Sequence, residues 1–146
     1  MSDLAIALDD VAAFVRRYVV MSASQTAATA LWVLHTHAVD AAEATPYLAV
    51  TSAEKRSGKT RLLEVLELIV RSPLPTANIS DAALFRAIGS LTPTLLFDEV
   101  DGIFRARDRE DLRGLLNAGH RRGAVAYRCG GKKMTELESF PVFCAK

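Results

Sequence analysis

Tyr47-Leu48-Ala49-Val50-Thr51-Ser52-Ala53-Glu54-Lys55-Arg56-Ser57-Gly58-Lys59-Thr60-Arg61-Leu62-Leu63 is the stretch whose reading decides the fold. Tyr47 to Thr51 is short, apolar and partly β-branched, as expected of a buried parallel strand. After the polar interval, Leu62, Leu63, Val65, Leu66, Leu68 and Ile69 recur at helical spacing. The segment from Ala53 to Thr60 is therefore expected to be a loop between a strand and a helix. There, its backbone amides and the helix N-terminus converge on one anion. The residue types have separate jobs. Gly58 permits the backbone conformation and close approach that phosphate binding needs, Lys59 reaches the outer phosphates, and the Thr60 hydroxyl is a ligand for Mg²⁺. Ala53, Glu54, Lys55, Arg56 and Ser57 complete the candidate phosphate cradle, with Ala53 standing where a glycine is usual. Its methyl group restricts the turn.

A second motif lies downstream. Thr94-Leu95-Leu96-Phe97-Asp98-Glu99-Val100-Asp101 is introduced by Pro93 and reads as a buried strand ending in acids. A carboxylate at the carboxyl end of a strand beside a phosphate loop can hold the hydration shell of Mg²⁺, and its neighbour can polarise an attacking water. Asp98, together with Thr60, is assigned the metal role and Glu99 the catalytic one. Acids after a strand are often solvated turn residues; the phosphate loop earlier in the chain gives these a partner. The two motifs together define the expectation of a P-loop NTPase binding ATP and Mg²⁺, and the acidic doublet favours the ATP-hydrolysing branches over a small kinase.

The chain has 146 residues, half of them apolar, and a formal charge of +1 from 18 basic and 17 acidic side chains. It can bury one substantial core, and its net charge carries no information about nucleic acid. Acids at Asp3, Asp9 and Asp10 stand where a secretory leader would be basic, so a cytoplasmic location is expected. The apolar stretch from Ala27 to Val39 is interrupted by Thr29, His35, Thr36 and His37, too short and polar to span a bilayer. His35 and His37 face different directions on a helix and do not suggest a metal site. Cys129 and Cys144 fit neither a zinc spacing nor a disulfide framework, and both are expected to be reduced.

Val11, Phe14, Val15 and Tyr18 form one helical stripe with Asp9 or Asp10 near its start, and a second helix is expected from about Ser24 to Val39. Residues 1–45 thus form an N-terminal helical pair preceding a nucleotide core at 46–146. Pro73 and Pro75 are expected to break the chain, with a short strand at Thr76 to Ile79, then a helix capped by Ser80 and carrying Leu84, Phe85 and Ile88. After the strand at 94–97 come a turn at Asp101-Gly102 and a helix holding Leu112, Leu115 and Leu116. The alternation of strands and helices predicts an α/β fold, a three-layer αβα P-loop NTPase with a parallel sheet.

Leu112-Arg113-Gly114-Leu115-Leu116-Asn117-Ala118-Gly119-His120-Arg121-Arg122-Gly123-Ala124, following Leu95-Leu96-Phe97-Asp98-Glu99-Val100-Asp101, resembles a family of actinobacterial and phage ATPases. Their members look like AAA+ or superfamily 3 type helicase modules, and the likeness extends from about Leu8 to Phe143. It implies ATP hydrolysis in phage or prophage DNA replication, DNA as a partner, and a homo-oligomeric ring in the full-length form. Relative to such a domain, the chain is expected to lack the later part of the core and the lid after a fourth core strand at Phe140 to Ala145. Arg121 and Arg122 are candidates for an arginine finger reaching a neighbour's γ-phosphate, although arginines ending a helix also suit its dipole.

Gly130-Gly131 between alternating segments suggests a β-hairpin with a basic tip. In the helicases that the chain resembles, a hairpin here contacts DNA, so Lys132 and Lys133 are candidate phosphate contacts, with Arg105, Arg107 and Arg109 as the next candidates. Three functions stay open at this point: a DNA-acting motor module, a nucleotide-binding interaction protein that does not hydrolyse, and a small-molecule kinase.

Overall fold

The computed structural model of the chain describes residues 2–51, 58–76, 79–98, 110–130 and 136–146. Helix α1 spans Asp3–Arg16, with the Ser2 hydroxyl accepting from the Ala5 amide, Asp3 in its first turn and Arg16 in its last. Both charges favour the helix dipole. The helix starts well before Asp9, where Leu4, Ile6 and Leu8 recur at a spacing of two that does not show the helical period. Helix α2 spans Ala23–His37 and opens on a capping box: Ser22 Oγ accepts from the Gln25 amide at 3.2 Å, and Gln25 Oε1 accepts from the Ser22 amide at 2.9 Å. A 3₁₀ turn, Val39–Ala41, follows it.

Helix α3 covers Lys59–Glu67, with Leu62, Val65 and Leu66 buried. These three pack with Val15 of α1, Trp32 and Val33 of α2, and Leu96 and Ala145. The N-terminal helices therefore share a core with α3. Polar contacts reinforce the joint: His37 bonds Ile69 O at 2.9 Å, the Arg71 amide donates to Thr36 Oγ1, and Arg71 pairs with Asp40 at 2.8 Å. A second cluster joins Leu84, Phe85 and Ile88 of helix α4 (Asp81–Leu91) to Leu95, Leu112, Leu115, Val142 and Cys144. Each fully buried Leu, Ile or Phe contributes about 1.5–3 kcal/mol by removal from water.

The chain is mixed α/β. Strands β1 (Pro73–Pro75) and β2 (Thr94–Leu96) pair in parallel, with Leu74 opposite Leu95. The first strand is a correction to the sequence reading, which put a break at the prolines and a strand at 76–79. The flanking bonds explain how prolines fit. Ser72 O accepts from the Thr94 amide and the Thr76 amide donates to Leu96 O, each at 3.0 Å, so the even-numbered residues face β2. Pro73 and Pro75 then turn their donorless nitrogens to the outer edge, where no ladder bond is lost. Thr76 still bonds β2 without extending the strand, and 77–78 lie outside the described residues.

On the other side of β2, the Leu95 amide donates to Ala145 O at 2.9 Å, and the Leu48 amide donates to Lys146 O at 3.0 Å. The hydrogen-bonded order is thus 73–75, 94–96, 145–146, 48. Neither 47–51 nor 142–146 is a regular strand, contrary to the sequence expectation, because these contacts are single bonds rather than ladders. A three-layer sandwich was expected; the described regular parallel sheet has two strands.

Helix α5 spans Glu110–Ala118, near its expected place. The hairpin follows as β3 (Val125–Gly130) and β4 (Glu136–Pro141), antiparallel, with Gly130 opposite Glu136. Gly130, expected in the connection, ends a strand instead, and 131–135 lie outside the described residues. Phe140 and Pro141, assigned from sequence to the last core strand, belong to this hairpin. Its inner face packs on α4, with Phe140 6.1 Å from Phe85 and the Arg128 guanidinium 4.5 Å above the Phe85 ring. Its outer face is uncharged and exposes Val125, Tyr127 and Leu137.

Candidate functional site

Gly58 precedes α3 at φ 87° and ψ 10°, the left-handed region that a residue with a Cβ enters at a cost. Its carbonyl accepts the Leu62 amide at 2.9 Å, which closes the first turn. No acid occupies that turn; Lys59 and Thr60 are both exposed at the helix N-terminus, where amide donors lack partners within the helix. The first-turn amides, the positive end of the dipole and a lysine together favour an anion.

Asp98 comes just after β2, at the strand's carboxyl end. Thr60 Oγ1 donates to Asp98 Oδ2 at 3.3 Å, joining two exposed residues that lie 38 apart in sequence. The two sequence motifs thereby meet in space. Among the described residues no group of three or more His, Cys, Asp and Glu side chains could cage a metal. A hydroxyl and a carboxylate are nevertheless the oxygen donors that suit Mg²⁺, which keeps most of its waters and relies on substrate phosphates for the rest. Residues 53–57 of the cradle and the assigned catalytic Glu99 lie outside the described residues, as do Arg105, Arg107, Arg109, Lys132 and Lys133.

Arg121 and Arg122 differ in their surroundings. Arg121 is exposed, whereas the Arg122 guanidinium donates to the carbonyls of Val39, Asp40 and Ala42, each at 2.8 Å, and lies 4.7 Å from the Phe143 ring centroid. His35 Nε2 is bonded to Thr45 Oγ1 at 2.8 Å, while His37 reaches Ile69. The two rings serve different segments, as residues two apart on a helix must. Cys129 is exposed, Cys144 is buried, and both are free thiols.

A polar cluster that sequence reading missed lies behind this site. The Lys146 ammonium is buried and donates to Gly119 O and Cys144 O at 3.1 Å, with Val142 O at 3.4 Å, and stands 4.9 Å from the Tyr47 ring centroid. Tyr47 Oη donates to Leu116 O at 2.7 Å. Burial lowers the pKa of Lys146 and raises that of Cys144. The only signal in the sequence was a lysine closing an apolar run. Burial, and then the Cys144 thiol, push Tyr47 up to about 12. Its phenol ionises near pH 10 in the unfolded chain, so its contribution to stability is complete below pH 10 and is lost between pH 10 and about 12. Tyr47→Phe is expected to flatten that alkaline decline, at the cost of the bond to Leu116; denaturant midpoints from pH 8 to 12 for both proteins measure it, and parallel curves would refute it.

No family model matches the chain, and neither a curated protein nor a solved structure matches it. Among the described residues no helix is long and apolar enough to cross a membrane.

Proposed function

We propose that the chain is an ATP- and Mg²⁺-binding P-loop ATPase module. The observation that carries this reading is the Thr60–Asp98 contact. It brings a helix N-terminus fitted for phosphate to a carboxylate at the end of a strand, the pairing that a Mg²⁺–polyphosphate requires. Lys59 neutralises phosphate charge, Thr60 and Asp98 orient the hydrated metal, and Glu99, next in sequence, orients the attacking water. When bound, Mg²⁺ neutralises charge developing on the transferred phosphoryl group.

The finer reading is a helicase-like motor, assembled as a ring and acting on phage or prophage DNA. It rests on the family resemblance and on the hairpin, whose Tyr127 is 62% exposed on an uncharged face and leads toward the segment holding Lys132 and Lys133. An exposed aromatic suits stacked bases, and basic residues a few positions on in the sequence suit a phosphate backbone.

Titration with a fluorescent ATP analogue, with and without Mg²⁺, tests the site. The wild type is expected to bind more tightly with Mg²⁺. Asp98→Asn is expected to lose most of that Mg²⁺-dependent gain while retaining metal-free binding. An unchanged Mg²⁺ dependence in Asp98→Asn would remove Asp98 from the site.

A further inference from the structure

We infer that Arg122 is a positioning residue that locks the segment leading into the phosphate loop onto the end of α5; the inference rests on the nucleotide reading above. The segment from Val39 to Leu48 connects the N-terminal helices to the loop, and it is fastened at nearly every second residue. The Arg122 side chain grips the carbonyls of Val39, Asp40 and Ala42, and its amide donates to Glu43 O at 2.9 Å. Ala44 bridges Arg121 in antiparallel fashion, and the Thr45 amide donates to His120 O at 2.9 Å. The side chain of Tyr47 then reaches Leu116, and the Leu48 amide reaches Lys146.

The chemistry of arginine explains why one residue can hold three carbonyls. The Val39 carbonyl already accepts the Ala42 amide at 3.1 Å and takes the guanidinium as a second donor, while the carbonyls of Asp40 and Ala42 are satisfied by the same planar group. Phe143 covers the other face of the same group. The guanidinium takes Ala42 O on Nε and Val39 O and Asp40 O on a terminal nitrogen, whereas a lysine would have to reach all three from one atom, as Lys146 does for carbonyls that converge on it. The fastening matters to the site because of what lies at each end. One strip runs forward from Leu48 to the phosphate loop; the other is the end of α5, the helix that follows the segment carrying Glu99. Arg122 thus ties, from outside the site, the chain that leads in sequence toward Lys59 and Thr60 to the helix that follows Asp98 in sequence.

Amide exchange and nucleotide affinity, measured on the same proteins, test the inference. Arg122→Ala is expected to speed exchange of the Thr45 amide by about tenfold or more and to weaken ATP-analogue binding by several-fold. Arg122→Lys is expected to restore only part of both, and it supplies the same two readouts if Arg122→Ala does not fold. Arg121→Ala should change neither. Unchanged exchange in Arg122→Ala would overturn the clamp, and faster exchange with unchanged affinity would reduce it to a local structural bond and overturn the positioning role. A wild-type chain that binds no nucleotide would instead refute the phosphate-loop reading itself, a result distinct from an unchanged Kd in a variant whose parent binds.

Discussion

Lys59→Ala is expected to weaken ATP binding by roughly a hundredfold, since a charge-assisted bond to phosphate at a helix N-terminus is among the stronger single contacts. The expected size follows from the surroundings. The first turn of α3 holds no acid, so Lys59 has no competing carboxylate there, and its side chain is exposed, so truncation opens no cavity. Stability should consequently stay within about 0.5 kcal/mol of the wild type, as for other surface changes. Titration with a fluorescent ATP analogue measures the first quantity and a denaturant curve the second. A variant that binds as tightly as the wild type would remove Lys59 from the phosphate site, whereas a large loss of stability would mean that α3 depends on this residue for folding.

The second large effect concerns folding. Two glycines lie on or just after α5, and they are expected to respond with opposite signs. A Cβ at Gly119 would collide with Val142 O, Leu115 O and the Lys146 ammonium, of which the carbonyls belong to backbone that cannot step aside. At Gly114 an added Cβ meets nothing within 4 Å. Gly119→Ala is therefore expected to cost about 3 kcal/mol by overpacking, a drop in Tm of roughly 10 °C for a chain of this size. Gly114→Ala should gain about 0.5–1 kcal/mol from helix propensity. Thermal unfolding of the two variants beside the wild type gives the comparison. Equal shifts would show that the collision at Gly119 relaxes at little cost and that the buried lysine is not tightly held.

What the sequence made legible follows from the range of each interaction. The left-handed Gly58, the helix after it and the position of Asp98 just past a strand depend on neighbours within a few residues, and these local features emerge where expected. The capping of α2 by Ser22 and Gln25 and of α4 by Ser80 is equally local. The failures involve partners far away in the chain. Nothing near Pro73 says that a neighbouring strand will accept it, because the answer depends on which side of β1 that strand lies. Residues 47–51 have the composition of a strand, yet strand character needs a ladder, and Leu48 is joined to Lys146 by one bond. Arg122 read as an arginine-finger candidate or a helix-end cation, and its three carbonyl acceptors could not be seen because they lie about eighty residues earlier. Lys146 showed only as a lysine closing an apolar run, and the carbonyls that hold its ammonium come together only in the fold.

The outward-turned prolines of β1 also have a consequence for solubility. An open sheet edge with free amide donors invites a strand from another molecule and seeds cross-β growth. At this edge Pro73 and Pro75 are both exposed and neither carries a donor, so an incoming strand finds no amide to bond at either position. Two side chains chosen for what they lack thus guard a short edge against aggregation. Replacing them with valine, a better strand former, would improve the strand and remove the guard.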